Sequence, residues 1–267
     1  MATLAAFVAA FVLPGFAPFA TGPHGGSVWT GLFPEGERPG YVYLPPAYDP
    51  SRSYPVVYLL HGMPGSPSEY LAGTDLADYA DDGIASGQLR PFIAVMPAAG
   101  PSPKYNGEWA GPWETELVSD VLPFVDDHLS TIAAPSGRTL AGLSAGGFGA
   151  FDIALRHPDL FGAVESWSGY FEPLHDGPFK HAPATTLAAN DPVLLARREA
   201  RTLRAGRVRF FVSTGPAHSH WIPQGTSLRF ANELARLGLT TTYRSFPDPR
   251  GQWREQLDAG LTWAFAR

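Results

Sequence analysis

Short apolar stretches alternate with amphipathic stretches from Gly40 to the end of the chain. This alternation is typical of a mostly parallel sheet that is covered by helices on both faces. The 267-residue chain contains neither an internal repeat nor a linker, so we predict a single α/β domain. Strands are predicted at residues 41–49, 54–62, 92–100, 138–143, 163–169, 208–215 and 240–246.

Four segments between these strands carry the helix pattern. Residues 114–129 place Leu117, Val121, Val125 and other apolar side chains on one face, which is expected to pack on the sheet. A second helix is expected directly after the strand at 138–143. The last two helices are predicted at residues 228–239, where Gly238 ends the pattern, and at residues 252–265.

The first twenty residues, MATLAAFVAAFVLPGFAPFA, are apolar and carry no charge. They indicate a signal or anchor segment at residues 1–22, followed by the domain at residues 23–267, and therefore a secreted or envelope-associated protein with a membrane tether. However, no Lys or Arg precedes the apolar run, and Pro14 and Gly15 would interrupt a spanning helix. The alternatives are a buried N-terminal arm in a cytoplasmic protein, or the truncated end of a longer membrane-anchored chain.

Charge and cysteine content exclude several classes of function. The net charge is -6 and the 19 basic residues form no run, which argues against binding to nucleic acid. The absence of cysteine excludes disulfides, thiolate catalysis and cysteine metal sites. The sequence leaves the oligomeric state open.

Residues Gly142 to Gly146, GLSAG, match the G-x-S-x-G nucleophile elbow between a predicted strand and a predicted helix. Ser144 is then the nucleophile, because the tight turn of small residues exposes its hydroxyl. Acyl transfer also requires N–H donors aimed at an oxyanion, and Ala145 and Met63 are expected to supply them. His61, which lies beside this loop, is predicted to be structural rather than the base.

Together, LLHGMPG at residues 59–65, NGEW at residues 106–109, GLSAGGFGA at residues 142–150 and ESWSGY at residues 165–170 resemble a known esterase family. Its members include esterase D, feruloyl esterases and mycolyltransferases. The resemblance extends over roughly residues 40–265. It implies an α/β-hydrolase fold and action on a small-molecule ester or acyl substrate, without a metal or an organic cofactor.

Two positions depart from the pattern of this family. An acidic residue normally follows the strand that matches residues 208–215, and a Gly-Gly-His segment normally follows the last strand. Here the first place reads PAHSHW, with no carboxylate, and the second reads PDPRGQW, with no histidine. Aligned on the tryptophan of the second segment, Asp248 takes the usual histidine position and His218 takes the usual acid position. We therefore predict an exchanged triad, in which His218 or His220 is the base and Asp248 orients it.

Three alternatives stay open. A substitute base, or water alone, could support weak activity. The site could instead be degenerate, so that the protein binds an ester-like or acyl ligand for a binding or envelope role. The acyl group could also pass to an acceptor other than water, as in an acyltransferase. His218 and His220 lack a third ligand nearby, and we predict no metal site.

Residues 171–203 carry few strand signals and are predicted to cover the carboxyl ends of the strands as a partial lid. An aromatic pocket for the acyl or alcohol group is expected beneath this lid. The alternative for each aromatic side chain is packing in the core. The candidate substrate-binding residues are Trp109, Trp167, Tyr170 and Trp221.

Overall fold

A nine-stranded mixed sheet forms the centre of the computed structural model, which describes residues 12–33, 38–100, 107–175, 177–216, 225–248 and 252–267. The strands lie in the order β1-β2-β3-β5-β4-β6-β7-β8-β9. Their bounds are β1 Phe16–Thr21, β2 Ser27–Phe33, β3 Arg38–Leu44, β4 Val56–Leu60, β5 Ile93–Pro97, β6 Arg138–Leu143, β7 Ala163–Trp167, β8 Arg209–Thr214 and β9 Thr240–Ser245.

The part of the sheet from β5 to β9 is parallel, whereas β1, β2 and β3 pair antiparallel with their neighbours. Every residue of β4, β5 and β7 is buried, because helices cover both faces of these strands. The predicted class, a mostly parallel sheet flanked by helices, is confirmed.

Two apolar layers separate the helices from the sheet. One contains Val56 and Tyr58 of β4, and the other contains Val57 and Leu59, as expected when successive side chains of a strand point to opposite faces. The helices are α1 Glu69–Ala72, α2 Leu76–Ala85, α3 Pro112–Glu116, α4 Leu122–His128, α5 Ala145–Arg156, α6 Ala184–Ala189, α7 Pro192–Ala205, α8 Thr226–Arg236 and α9 Gln252–Phe265. A π-helical turn at Leu117–Val121 joins α3 to α4.

The hairpin of β1 and β2 extends the sheet at its N-terminal edge. Leu13 and Phe16 are buried, and the Phe16 ring lies 5.1 Å from that of Phe33 and 5.9 Å from that of Phe124. This hairpin therefore packs on the domain through Leu13 and Phe16, while most of residues 12–22 are exposed. The domain boundary predicted at residue 22 stays a prediction, and residues 1–11 lie outside the described part.

A buried carboxylate fixes this hairpin to α2. Asp81 accepts hydrogen bonds from the backbone amides of His24 and Gly26, at 2.8 and 3.0 Å, and from the Tyr43 hydroxyl at 2.8 Å. These three hydrogen bonds offset the free-energy cost of burying the Asp81 carboxylate.

Part of the range predicted as a lid is a helix that packs on the domain. The side chains of Leu195, Ala196 and Leu203 on α7 are buried, and this helix packs against α5. The helix begins at Asp191, whose carboxylate caps the amides of Val193 and Leu194. The range predicted as a lid, residues 171–203, therefore ends in a helix of the core. Within the described residues, no helix combines the length and the apolar composition needed to cross a bilayer.

Candidate active site

Ser144 lies at the junction of β6 and α5 with φ 50° and ψ −113°, a region that residues with a side chain rarely adopt. Its amide donates to the carbonyl oxygen of Trp167 at 2.9 Å, and its carbonyl oxygen accepts from the Phe148 amide at 3.1 Å. These bonds hold the strained turn, and Ser144 stays partly exposed.

The elbow depends on glycine because the backbone segments around it approach very closely. A Cβ added to Gly146 would lie 1.8 Å from the carbonyl oxygen of Leu60, and one added to Gly142 would lie 2.3 Å from the Gly146 carbonyl carbon. Real Cβ atoms do not come this close to backbone atoms, so no other residue fits at either position.

A pocket of about 390 Å³ opens beside Ser144. The loop after β4 faces the nucleophile across this pocket, since a Cβ added to Gly62 would lie 3.5 Å from the Ser144 Cβ. Met63 also packs against the small apolar cluster that contains Ala145. The described residues that line the pocket are Gly62, Met63, Pro64, Glu69, Gly73, Thr74, Leu143, Ser144 and Trp253.

His61 anchors the loop that carries Met63. Its Nε2 accepts from the Ala99 amide at 3.0 Å, so the ring proton is on Nδ1, which lies 2.7 Å from the Gly62 carbonyl oxygen and donates to it. Burial lowers the pKa of His61 to about 4. Both ring nitrogens of His61 are thus engaged by backbone groups, which supports the prediction that this residue is structural rather than the base.

The two predicted indole contacts, Trp109 and Trp167, lie in the core. Both side chains are buried, at 2% and 0% exposure, and neither lines the Ser144 pocket. Trp109 Nε1 donates to the His61 carbonyl oxygen at 2.9 Å, and Trp167 Nε1 donates to Glu165 Oε2 at 3.0 Å. Both indoles thus occupy the core, as in the alternative given for each aromatic residue, and their contact with substrate stays a prediction.

Tyr170 is also buried, and its ring stacks on Phe148 at 5.0 Å. Its hydroxyl donates to Glu108 Oε1. The residue lines a separate cavity of about 490 Å³, next to α7 and α8, rather than the pocket of Ser144. Trp221, the fourth aromatic residue predicted to line the pocket, lies outside the described residues.

Trp253 was not predicted to line the pocket, although it does so from the first turn of α9 with 37% of its surface exposed. A signal for it was present in the sequence, because Trp253 directly follows the loop that carries Asp248. A large aromatic at that place can close a pocket built at the carboxyl ends of the strands.

Glu165 is a fully buried carboxyl group between β7 and α9. Its Oε2 accepts from Trp167, whereas its Oε1 has no hydrogen-bond partner among the residues that the structure describes. Burial raises the pKa of Glu165 to about 8, although the Trp167 bond and the charge of Arg209 oppose this shift. Glu165 therefore holds its proton more tightly than an exposed carboxyl group, and it bonds to the tryptophan whose carbonyl oxygen accepts from the Ser144 amide.

A buried amide holds together the carboxyl ends of β7 and β8. Gln256 of α9 accepts from the Ser213 hydroxyl at 2.7 Å and donates from Nε2 to the Ser168 hydroxyl at 3.0 Å. Ser168 Oγ in turn accepts from the Gly215 amide at 2.8 Å. This network was not foreseen, because a single glutamine in a helix pattern gives no sign that it is buried.

The residues of the predicted exchanged triad are only partly described. Asp248 lies between β9 and α9, is partly buried, and is not among the residues that line the pocket. His218 and His220 lie outside the described residues. The assignment of base and acid therefore stays a prediction. Within the described ranges, no group of three or more histidine and carboxylate side chains could hold a metal ion.

A strained serine between a parallel strand and a helix, faced by a glycine loop from a neighbouring strand, defines the serine α/β-hydrolase class. Residues 33–264 match the profile of the family described as "Putative esterase", and the chain belongs to this family.

Several known proteins are similar to this chain. Esterase Rv1288 of Mycobacterium tuberculosis is 36% identical over 141 residues, which cover 50% of this chain and 30% of that protein. An endo-1,4-beta-xylanase/feruloyl esterase of Xylanibacter ruminicola is 32% identical over 133 residues, which cover 45% and 18%. The matched regions therefore span about a third or less of the length of these two relatives. Among solved structures, a ferulic acid esterase superposes with a TM-score of 0.76 and 25% identity, over 90% of this chain and 97% of that one.

Proposed function

We propose that this protein is a serine carboxylesterase that cleaves its substrate through an acyl-enzyme on Ser144. The observation that carries the proposal is the strained Ser144 at the wall of an open pocket, opposite the Gly62–Pro64 loop. Membership of an esterase family supports the same conclusion.

The reaction follows from the arrangement of these groups. Ser144 Oγ attacks the ester carbonyl carbon while its proton passes to a base, and the carbonyl oxygen becomes an oxyanion that the Met63 and Ala145 amides stabilise. Collapse of this intermediate breaks the ester C–O bond, and the base returns its proton to the leaving alcohol. Water then attacks the acyl-enzyme by the same route and releases the acid.

The base in this proposal is His218 or His220, with Asp248 as its orienting acid. His61 is not the base in this proposal, because it is buried and its two ring nitrogens are bonded to the Gly62 carbonyl oxygen and the Ala99 amide. Triads are defined by geometry rather than by chain order, so a base that follows β8 is compatible with the mechanism.

The proposed substrate is a small-molecule ester with an aromatic or short acyl group. Met63, Leu143 and Trp253 give the pocket an apolar wall, and its volume of about 390 Å³ suits a ligand of this size. The names of the similar proteins, which include feruloyl and ferulic acid esterases, support esters of hydroxycinnamic acids as the first candidates.

The test is hydrolysis of p-nitrophenyl acetate, p-nitrophenyl butyrate and methyl ferulate by the wild type and by Ser144→Ala, His218→Ala, His220→Ala and Asp248→Ala. His24→Ala, a change at an exposed turn, is the matched control. We expect Ser144→Ala, Asp248→Ala and one histidine variant to lose activity by at least about a thousandfold. Loss with neither histidine would contradict the exchanged triad.

A second candidate function is binding of an ester-like or acyl ligand with little or no turnover. It is favoured by one observation: the segment after β9 reads PDPRGQW and contains no histidine, where the esterase family normally has a Gly-Gly-His segment. A wild type no faster than Ser144→Ala on any of the three esters, but able to bind them in calorimetry, would favour this function. Transfer of the acyl group to an alcohol acceptor would instead appear as a new ester among the products.

Export or attachment to the cell envelope stays a prediction from the apolar residues 1–22, of which Leu13 and Phe16 pack on the domain. Fractionation of the native host with an antibody, and N-terminal sequencing of the recovered protein, would test it.

A further inference from the structure

One wall of the Ser144 pocket carries a carboxyl group that the proposed mechanism does not use. Glu69 begins the short helix α1, and the pocket is also lined by Gly73 and Thr74, which directly follow that helix. Among the described residues that line the pocket, Glu69 alone has a titratable side chain.

The surroundings of Glu69 are unusual for a surface carboxylate. Met63, Leu143 and Trp253 make the rest of the wall largely apolar, and Glu69 is partly buried. Burial raises the pKa of its carboxyl group above the usual value, with the Ser66 backbone amide opposing this effect. No ion pair joins Glu69 to another residue in the described part of the chain.

An acidic group in the wall of a pocket discriminates between ligands by charge. Because Glu69 is partly buried, a cationic group of the substrate gains more from the interaction than it would at a fully exposed site. An anionic group at the same place meets repulsion and a desolvation cost.

We infer that Glu69 is a specificity-determining residue, which makes the pocket favour esters with a cationic group over their neutral isosteres. This inference rests on the proposed function, because it assigns a substrate preference to the pocket of Ser144. It places Glu69 in substrate selection and gives it no part in proton transfer.

The experiment compares two isosteric ester pairs, because the charge can sit on either side of the ester bond. Butyrylcholine is compared with 3,3-dimethylbutyl butyrate, and p-nitrophenyl 4-(trimethylammonio)butyrate with p-nitrophenyl 5,5-dimethylhexanoate. The readout is the ratio of kcat/KM within each pair for the wild type, Glu69→Gln and Glu69→Asp. Glu199→Gln, on α7 and outside the pocket, is the control.

We expect the wild type and Glu199→Gln to favour the cationic ester in at least one pair by about fivefold, which corresponds to about 1 kcal/mol. Glu69→Gln should bring that ratio close to one, and Glu69→Asp, which keeps the charge, should restore part of it. A merely structural role would change both members of a pair alike. Equal ratios in the wild type and Glu69→Gln would overturn the inference.

Binding of the same esters to Ser144→Ala and to Ser144→Ala/Glu69→Gln, measured by calorimetry, gives the preference without turnover. If the wild type hydrolyses no ester but Ser144→Ala prefers the cationic ones, the proposed function fails and the assignment of Glu69 stands. If hydrolysis depends on Ser144 but neither kinetics nor calorimetry shows a charge preference, the assignment of Glu69 fails alone.

Discussion

Gln256 Oε1 accepts a hydrogen bond from Ser213 Oγ at 2.7 Å, in a region where both side chains are fully buried. This contact joins α9 to the carboxyl end of β8. Both residues stand next to loops that carry predicted triad members, since β8 leads toward His218 and His220 and α9 follows Asp248. The pairing therefore fixes the positions at which these loops leave and enter the core.

Gln256→Leu should lower the free energy of unfolding by about 2–3 kcal/mol, because it leaves the buried Ser213 hydroxyl and the partly buried Ser168 hydroxyl without their amide partner. Urea denaturation followed by circular dichroism measures this change. Gln88→Leu, at an exposed position, is the control and should shift stability by no more than about 0.5 kcal/mol. Equal effects of the two substitutions would show that the network contributes nothing specific.

Two glycines near the nucleophile should respond differently to alanine. Gly146→Ala should abolish folding, since its methyl group would lie 1.8 Å from the Leu60 carbonyl oxygen. Gly62→Ala should fold, because its methyl group meets only ordinary contacts, but should slow ester hydrolysis by at least about tenfold, since that group enters the pocket beside Ser144. Soluble yield, thermal unfolding and kcat/KM distinguish the two. A folded, active Gly146→Ala would contradict the geometry of the elbow.

Glu165 should make the protein less stable as the pH rises. Its pKa is about 8 in the folded protein against a usual value of 4.5, so the folded state holds the proton more tightly. Between these two values the free energy of unfolding should fall with pH, and Glu165→Gln should remove this part of the slope. Urea titrations from pH 4.5 to 8.5 measure it. An unchanged slope in the variant would show that Glu165 is ionised at neutral pH.

His61 should make the protein less stable as the pH falls into the acid range. Its pKa is about 4 in the folded protein against a usual value of 6.5, so the unfolded chain binds the proton more readily. Stability should therefore be lost as the pH falls from about 6.5 to 4, and His61→Asn should reduce that loss. His24→Asn, at an exposed turn, is the control. The same acid sensitivity in His61→Asn and the wild type would refute the assignment.

The parallel strands and the elbow could be predicted because each has a local signal. The strands β4 to β8 contain apolar runs, and G-x-S-x-G requires a strand before it and a helix after it. The hairpin of β1 and β2 gave no such signal. After Phe16 every residue of β1 is exposed, so apolar and polar positions do not alternate along it.

The aromatic residues show where sequence reasoning ends. Glu108 and Trp109 both have positive φ, at 53° and 55°, and the Trp109 indole is buried beside His61. Such a turn depends on tertiary contacts, for instance with Gly149, where an added Cβ would lie 2.3 Å from the Trp109 Cβ. The identity of the catalytic base stays a prediction for a related reason. The order of residues along the chain does not reveal which loops lie next to one another in the fold.

The pairing of β1 with β2 bears on how this protein is produced and handled. β1 covers the outer edge of β2, and Phe16 shields the rings of Phe33 and Phe124. A recombinant version that starts at residue 23, or a protease cut at that point, would leave the hydrogen-bonding groups of β2 open beside an uncovered aromatic patch. Open apolar strand edges pair with one another, so this shortened form should precipitate or form oligomers at concentrations where the longer chain stays dispersed.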